Sequence, residues 1–274
     1  ICAEPSRSNE HAYSKGMTMA GILDAFRLDG KIAVVTGSER GLGRGMAVAL
    51  AQAGADVLGV TYAAAAPETA AAIAAAGRRY VHVQADLSSL EPIQGVIDAA
   101  LAAYGRIDIL VNNAGIITRN DSVDFTEKEW DDVMNINIKA AFFMCQAVGR
   151  QFIAQGGGGK IVNIASMLSF QGGIRVPSYT ASKSGVKGIT MLMANEWAKH
   201  GINVNAIAPG YMATNNTAAL RADDDRNAAI LERIPAGRWG VPDDMMGPVV
   251  FLASSASDYI NGYTVAVDGG WLAR

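Results

Sequence analysis

Residues 32–53 read IAVVTGSERGLGRGMAVALAQA, and this stretch decides the fold. Ile32–Thr36 is a short apolar, β-branched run of the kind that forms a buried strand. From Leu42 to Ala53 apolar residues recur at helical spacing. Between them Gly37, Gly41 and Gly43 make a turn spaced T-G-x-x-x-G-x-G. Glycines let a backbone approach a diphosphate closely, and a helix start offers it unpaired N–H groups. An ordinary strand-to-helix turn also favours glycine, so the dinucleotide reading depends on the rest of the chain.

Working outward, the same alternation repeats. Strands are expected at Ile32–Thr36, Asp56–Val60, Tyr80–Gln84, Ile107–Val111, Lys160–Ile164, Asn203–Ile207 and Thr264–Val267. Helices are expected at Leu42–Ala53, Glu68–Ala76, Pro92–Ala103, Trp130–Gln155, Tyr179–His200 and Asp243–Ser254. Seven strands joined by helical crossovers predict one α/β domain, a doubly wound seven-stranded parallel sheet of Rossmann type. Ligands of such sheets bind where the strands' carboxyl ends open. Gly37, Asp86, Asn112, Ser166 and Pro209 follow five of those ends, so residues far apart in sequence converge on one edge.

The chemistry is concentrated in IVNIASMLSFQGGIRVPSYTASKSG, where Ser166 precedes Tyr179 by thirteen residues and Lys183 follows it by four. Residues four apart on a helix share a face. A neighbouring ammonium favours the phenolate, so Lys183 is expected to draw the Tyr179 pKa down from about 10 toward neutrality. Such a phenol could exchange a proton at physiological pH, with Ser166 holding a carbonyl oxygen beside it. Singly, each residue has a structural reading: Ser166 as a strand end, Tyr179 as a packed aromatic, the Tyr–Lys pair as a solvated helix face.

Together, the glycine turn, Asn112-Asn113-Ala114-Gly115, Ser166, Tyr179-x-x-x-Lys183 and Pro209-Gly210 resemble the short-chain dehydrogenase/reductase superfamily, from about Leu28 to Arg274. MLSFQGGIRVPSYTASKSG, LMANEWAKH, NAIAPGYMATNN and IPAGRWG narrow the resemblance to its sugar-acid dehydrogenases. The resemblance implies hydride exchange between a nicotinamide coenzyme and a ketone or secondary alcohol. The implied substrate is a six-carbon deoxy sugar acid of uronate breakdown, 2-keto-3-deoxygluconate with its 2,5-diketo counterpart or 2-deoxygluconate at C3. It makes Tyr179 the acid or base, Ser166 the substrate-positioning hydroxyl, and Lys183 the partner of Tyr179 and of the nicotinamide ribose. Asn137, in MNINIKAAFF, would hold a water linking Lys183 to solvent. Coenzyme contacts are implied for Gly37, Arg40, Gly41, Leu42, Gly43, Thr61, Asp86, Leu87, Asn113, Ala114, Gly115, Tyr179, Lys183, Pro209, Gly210 and Thr214. Asp86 would meet the adenine amino group, though it reads equally well as a helix cap or turn residue.

The choice between NAD and NADP pulls two ways. No acid stands near Thr61 and Tyr62 to bind a ribose 2′-hydroxyl, and Arg40 can pair with a 2′-phosphate. The family resemblance favours NAD, which is the expectation here, with NADP as the alternative. A sugar acid brings a carboxylate, for which Arg175 is the first candidate and Arg119 the second; a surface charge is an equal reading for Arg175. Arg238 in GRWG reads as structural. Tyr211–Pro235 is expected to form a mobile lid containing a helix. Rival readings are a reductase of the same superfamily acting on acyl-carrier-protein thioesters or other ketones, and a non-catalytic dinucleotide sensor.

Composition limits the alternatives. A chain of 274 residues, half of them hydrophobic and 18% charged, suits a single domain with a large core. A net charge of −3 does not favour nucleic acid or an anionic membrane, and no apolar run reaches the roughly 18 residues that span a bilayer. Cys2 and Cys145 stand too far apart to suggest a disulfide framework, and His11, His82 and His200 are isolated, so no metal is expected. Cys145, in AAFFMCQAV, is expected in the core. A cytoplasmic setting is expected. Residues 1–26 are expected to be a flexible extension, with Met17 or Met19 as a natural start, before a domain spanning 27–274. The resemblance implies a homotetramer packed through the two long helices, with VDGGWLAR near a subunit contact.

Overall fold

A computed structural model of the chain describes residues 21–274. Residues 1–20 of the expected extension lie outside the described residues. Ordered packing starts before residue 27: Ile22–Phe26 forms a 3-10 turn whose Ala25 is buried. The Ala25 carbonyl accepts a hydrogen bond from Ser255 Oγ at 3.0 Å.

Seven strands form one parallel sheet: β1 (Ile32–Thr36), β2 (Asp56–Thr61), β3 (Tyr80–Gln84), β4 (Ile109–Asn112), β5 (Gly159–Ile164), β6 (Ile202–Pro209) and β7 (Thr264–Val267). Their spatial order is β3-β2-β1-β4-β5-β6-β7. The order reverses between β1 and β4, which creates the crevice where doubly wound sheets bind ligands. Every residue of β1 is buried, as befits a strand covered on both faces.

The helices are α1 (Gly41–Gln52), α2 (Pro67–Ala75), α3 (Pro92–Tyr104), α4 (Glu127–Met134), α5 (Ala141–Gln155), α6 (Pro177–Trp197), α7 (Ala218–Ala222), α8 (Asp224–Arg233) and α9 (Met246–Ala253). Alternate residues of each strand enter opposite cores. Ala33 and Val35 meet Met46 and Leu50 of α1 and Val249 of α9. Val34 faces the other way, toward Val96 of α3, Met144 of α5 and Met193 of α6.

The helix expected over Trp130–Gln155 is three segments. It starts earlier, at Glu127, because Thr126 and Glu129 cap each other: Glu129 N donates to Thr126 Oγ1 at 3.2 Å and Thr126 N to Glu129 Oε2 at 2.8 Å. A π-helical turn over Asn135–Ala140 then separates α4 from α5. Such turns are rare and cluster at functional sites. The helix expected at Asp243–Ser254 opens as a 3-10 turn over Pro242–Met245. Residues 211–235 carry two short helices, α7 and α8, rather than one.

A polar chain runs through the core. Asn112 Nδ2 donates to Asn163 Oδ1 at 3.0 Å, and Asn163 Nδ2 to Thr190 Oγ1 at 2.9 Å. This ties β4 and β5 to α6. Cys145 is fully buried there, as expected, and burial pushes its thiol up to about 12. No helix of the described residues is long and apolar enough to cross a membrane.

Candidate active site

The glycine turn is built to leave room. Gly37 and Gly41 have φ of +66° and +54°, which side-chain-bearing residues rarely adopt. At Gly43 a Cβ would lie 2.4 Å from Asn113 Nδ2 and closer still to the Gly37 carbonyl oxygen. No side chain caps the start of α1, so its first N–H groups face the crevice as an anion site. Asn113 braces this turn: its Nδ2 donates to Thr36 O at 3.0 Å and Gly37 O at 3.1 Å. Ala114 N donates to Thr36 Oγ1 at 2.9 Å. The open turn, bare helix start and rigid backing fit the diphosphate of a dinucleotide.

Other expected coenzyme residues stand around the same edge. Arg40 and Gly115 are exposed, and Leu42 is half-buried. The methyl of Thr214 lies 3.8 Å from where a Gly41 Cβ would be, so the segment after β6 touches the glycine turn. Gly210 sits against Asp268, where a Cβ would approach to 2.6 Å. Pro209 ends β6 in the buried sheet. Leu87 is buried beside exposed Asp86, whose Oδ1 accepts from Ser88 N at 2.9 Å as a turn residue does. Thr61 turns its hydroxyl inward, donating to Ala63 O at 2.7 Å and meeting His82 Nε2 at 2.6 Å.

Ser166, Tyr179 and Lys183 come together at the end of β5. Ser166 is buried and caps a 3-10 turn, accepting from Leu168 N at 3.1 Å. Lys183, on α6, is buried; its Nζ donates to Ile164 O at 2.5 Å and lies 5.7 Å from the Tyr179 ring centre. Burial lowers the Lys183 pKa to about 8. Burial raises the Tyr179 phenol above its ordinary value, while the Ser166 hydroxyl and the Arg119 guanidinium pull it down. The expectation that Lys183 draws the phenol toward neutrality is therefore corrected: desolvation outweighs the opposing influences, and the cation acting on Tyr179 is Arg119.

Asn137 sits in the π-helical turn. Its Oδ1 accepts from Ile116 N at 2.9 Å, and its Nδ2 donates to Ile116 O at 2.9 Å and Ser182 Oγ at 3.2 Å. Both amide hydrogens are committed to protein, so the side chain braces the segment after Gly115 against α6.

The two arginine candidates differ in their partners. Arg175 is exposed, adopts φ +63°, and pairs with Asp121 at 3.0 Å. Arg119 pairs with no carboxylate among the described residues. Its Nη2 donates to Asn216 O at 3.1 Å, and its charge reaches the Tyr179 phenol. Arg238 binds Asp244 through two hydrogen bonds of 2.7 and 2.8 Å, the structural role expected, and holds that carboxyl down at about 2. Two neighbours escaped the sequence reading. Asp121 neutralises Arg175 from 54 positions away, and Glu39 hides a carboxylate oxygen in the glycine turn. Among the described residues no group of His, Cys, Asp and Glu could hold a metal ion.

A sheet that reverses at an open glycine turn, with a serine, a phenol and a buried amine beside it, defines a dinucleotide-dependent oxidoreductase. A family model described as enoyl-(acyl carrier protein) reductase matches residues 36–272, and the chain belongs to the short-chain dehydrogenase/reductase family. It is 68% identical over 253 residues to 2-dehydro-3-deoxy-D-gluconate 5-dehydrogenase of Escherichia coli (strain K12), covering 92% of this chain and 100% of that one. It is 66% identical, with the same coverage, to the protein of that name from Dickeya dadantii (strain 3937). A gluconate 5-dehydrogenase from Burkholderia cenocepacia J2315, solved in complex with NADP and tartrate, superposes with a TM-score of 0.88 at 40% identity, covering 92% of this chain and 99% of that one.

Proposed function

We propose that this protein interconverts 2-dehydro-3-deoxy-D-gluconate and its 2,5-diketo counterpart, using NAD(H), with NADP(H) as the second coenzyme. The observation that carries this reading is Arg119: a cation without a carboxylate partner among the described residues acts on the Tyr179 phenol at the rim of a dinucleotide crevice. A sugar acid needs a cation about one substrate length from the reacting carbon, whereas an acyl thioester or simple ketone does not. The names of the relatives support the same substrate.

Bound nicotinamide supplies the two-electron acceptor or donor. In oxidation Tyr179, as phenolate, takes the proton of the substrate hydroxyl; in reduction its phenol returns that proton to the carbonyl oxygen. Ser166 Oγ hydrogen-bonds the same oxygen and fixes its position. Lys183, whose Nζ lies 5.7 Å from the Tyr179 ring centre, would bind the nicotinamide ribose hydroxyls. Arg119 meets the carboxylate, which displaces the Asn216 carbonyl from it. Residues 211–235 act as the lid, carrying Asn216 and Thr214 over the cleft.

The assembly is a homotetramer in the cytoplasm. Exposed Ile153 on α5 and exposed Met191 and Leu192 on α6 make an unpaired apolar face that a second copy would cover. The unbridged thiol of Cys145 suits a reducing compartment.

The test is to follow nicotinamide absorbance with NADH and NADPH against keto sugar acids, acyl thioesters and simple ketones. Turnover confined to sugar acids is expected. Preference for an acyl thioester would overturn the reading.

A further inference from the structure

Ser166 opens a 3-10 turn, Met167–Ser169, whose two end serines cap each other. Ser166 Oγ accepts from Leu168 N at 3.1 Å, which uses a lone pair and leaves its one hydrogen for an oxygen in the cleft. In return, Ser166 N donates to Ser169 Oγ at 3.3 Å.

The same Ser169 hydroxyl reaches α6, where it donates to the main-chain carbonyl of Lys183 at 2.6 Å. An N–H only donates and a carbonyl only accepts, so the single hydroxyl hydrogen must go to Lys183 and a lone pair to Ser166. Lys183 therefore holds the chain on both sides of Ser166. Its Nζ donates to Ile164 O at 2.5 Å, and its carbonyl receives Ser169. Tyr179 lies one turn earlier on α6. Its own carbonyl accepts from Ser182 Oγ at 2.9 Å, and Ser182 Oγ in turn accepts from Asn137 Nδ2 at 3.2 Å. Side chains of a reacting site keep their geometry only when such supporting bonds hold them, to within about 0.5 Å.

We infer that Ser169 is a positioning residue: its hydroxyl ties the Ser166 backbone to the helix that carries Tyr179 and Lys183, and so sets the reach between the serine that orients the reacting oxygen and the phenol that exchanges its proton. Ser169 acts through Ser166 and touches neither substrate nor coenzyme. Its role rests on those proposed above for Ser166 and Tyr179.

The experiment measures kcat and KM for 2-dehydro-3-deoxy-D-gluconate, and NADH affinity without substrate, in the parent, Ser169→Ala, Ser169→Thr, Ser166→Ala and the Ser166→Ala/Ser169→Ala pair. Misplacing a reacting group by up to about 1 Å costs about tenfold to a hundredfold. Ser169→Ala should lose at least about tenfold in kcat, with KM and NADH affinity within about twofold of the parent, because Arg119 and the glycine turn are untouched. Ser169→Thr keeps the hydroxyl and should recover kcat to within about threefold. On top of Ser166→Ala, the Ser169→Ala change should cost less than about twofold more, since no Ser166 hydroxyl is left to place. A folded Ser169→Ala protein with kcat within about twofold of the parent overturns the role, as does a loss that repeats in full on top of Ser166→Ala, which a general loosening of the fold would give. Ser169→Cys, similar in size with a weakly bonding thiol, takes the place of Ser169→Ala if dichroism shows that variant unfolded. The same pattern of losses in a parent that turns over a different ketone would keep the role of Ser169 and overturn only the sugar acid. A parent that turns over no ketone would remove both.

Discussion

Replacing Lys183 with methionine should abolish turnover and make the folded protein more stable at neutral pH. Lys183 is 4% exposed, and its one hydrogen-bond partner among the described residues is the Ile164 carbonyl. Burial alone lowers its pKa from 10.5 to about 8. At 1.36 kcal/mol per pH unit, that interval corresponds to about 3 kcal/mol spent on keeping the amine charged in the fold at pH 7. Methionine fills a similar volume without the charge but forfeits the hydrogen bond, about 1 kcal/mol, leaving a net gain of about 2 kcal/mol. For a domain of this size that is roughly 4–8 °C in Tm. The pH dependence gives the stricter check. Between pH 8 and 10.5 the unfolded chain holds a proton that the folded chain has lost, so the parent's stability rises with pH across that window. The Lys183→Met variant lacks the titrating group, and its advantage should shrink as the parent gains. Urea denaturation of both proteins, at matched concentration and across that pH range, measures the gap. A variant less stable than the parent at pH 7, or a gap that stays constant with pH, would refute the reasoning.

Arg119→Ala should raise KM for the sugar acid about tenfold or more, the worth of one charge-assisted pair, and Arg175→Ala should change it by less than about threefold. Steady-state kinetics on the two variants decides between them. Arg119→Ala should also move the alkaline rise of the oxidation rate to higher pH, because the guanidinium lowers the Tyr179 phenol; a pH profile shifted downward would contradict this. Gly43→Ala places a Cβ against the Gly37 carbonyl and Asn113, so coenzyme affinity and melting temperature should both fall; calorimetric titration and a thermal melt read them. Tyr179→Phe should bind NADH as the parent does while losing turnover by at least about a hundredfold, the contribution of one proton-transfer group.

The sheet was legible because its signal is local. A strand buried on both faces must be a short apolar run, and a glycine turn joining such a run to a helix is the usual cradle for a dinucleotide's phosphates. The convergence of Ser166, Tyr179 and Lys183 was legible for the same reason, since strand-end positions in a parallel sheet share one edge. The π-helical turn was not. Apolar periodicity runs unbroken through MNINIKAAFF, and one extra residue per turn leaves no mark in it. Only the clamp between Asn137 and the Ile116 backbone, across 21 positions, shows where the helix must widen.

Charge balance was the least legible property, and it governs the chemistry. Arg175 and Arg119 look equivalent in the sequence, each four residues from a site motif. What separates them is Asp121, which pairs with Arg175, while Arg119 pairs with no carboxylate among the described residues. The same holds for Tyr179 and Lys183. Spacing implies that the amine activates the phenol, yet burial acts on both groups and in opposite senses, lowering the amine and raising the phenol. Each shift favours the neutral form. Charge must then come from outside the pair. Arg119 supplies it through space, and its hold on Asn216 links that charge to the segment that touches the glycine turn. A carboxylate that drew Arg119 away would weaken the hold on Asn216 and the pull on Tyr179 together, and substrate binding and proton release would then be coupled through one side chain.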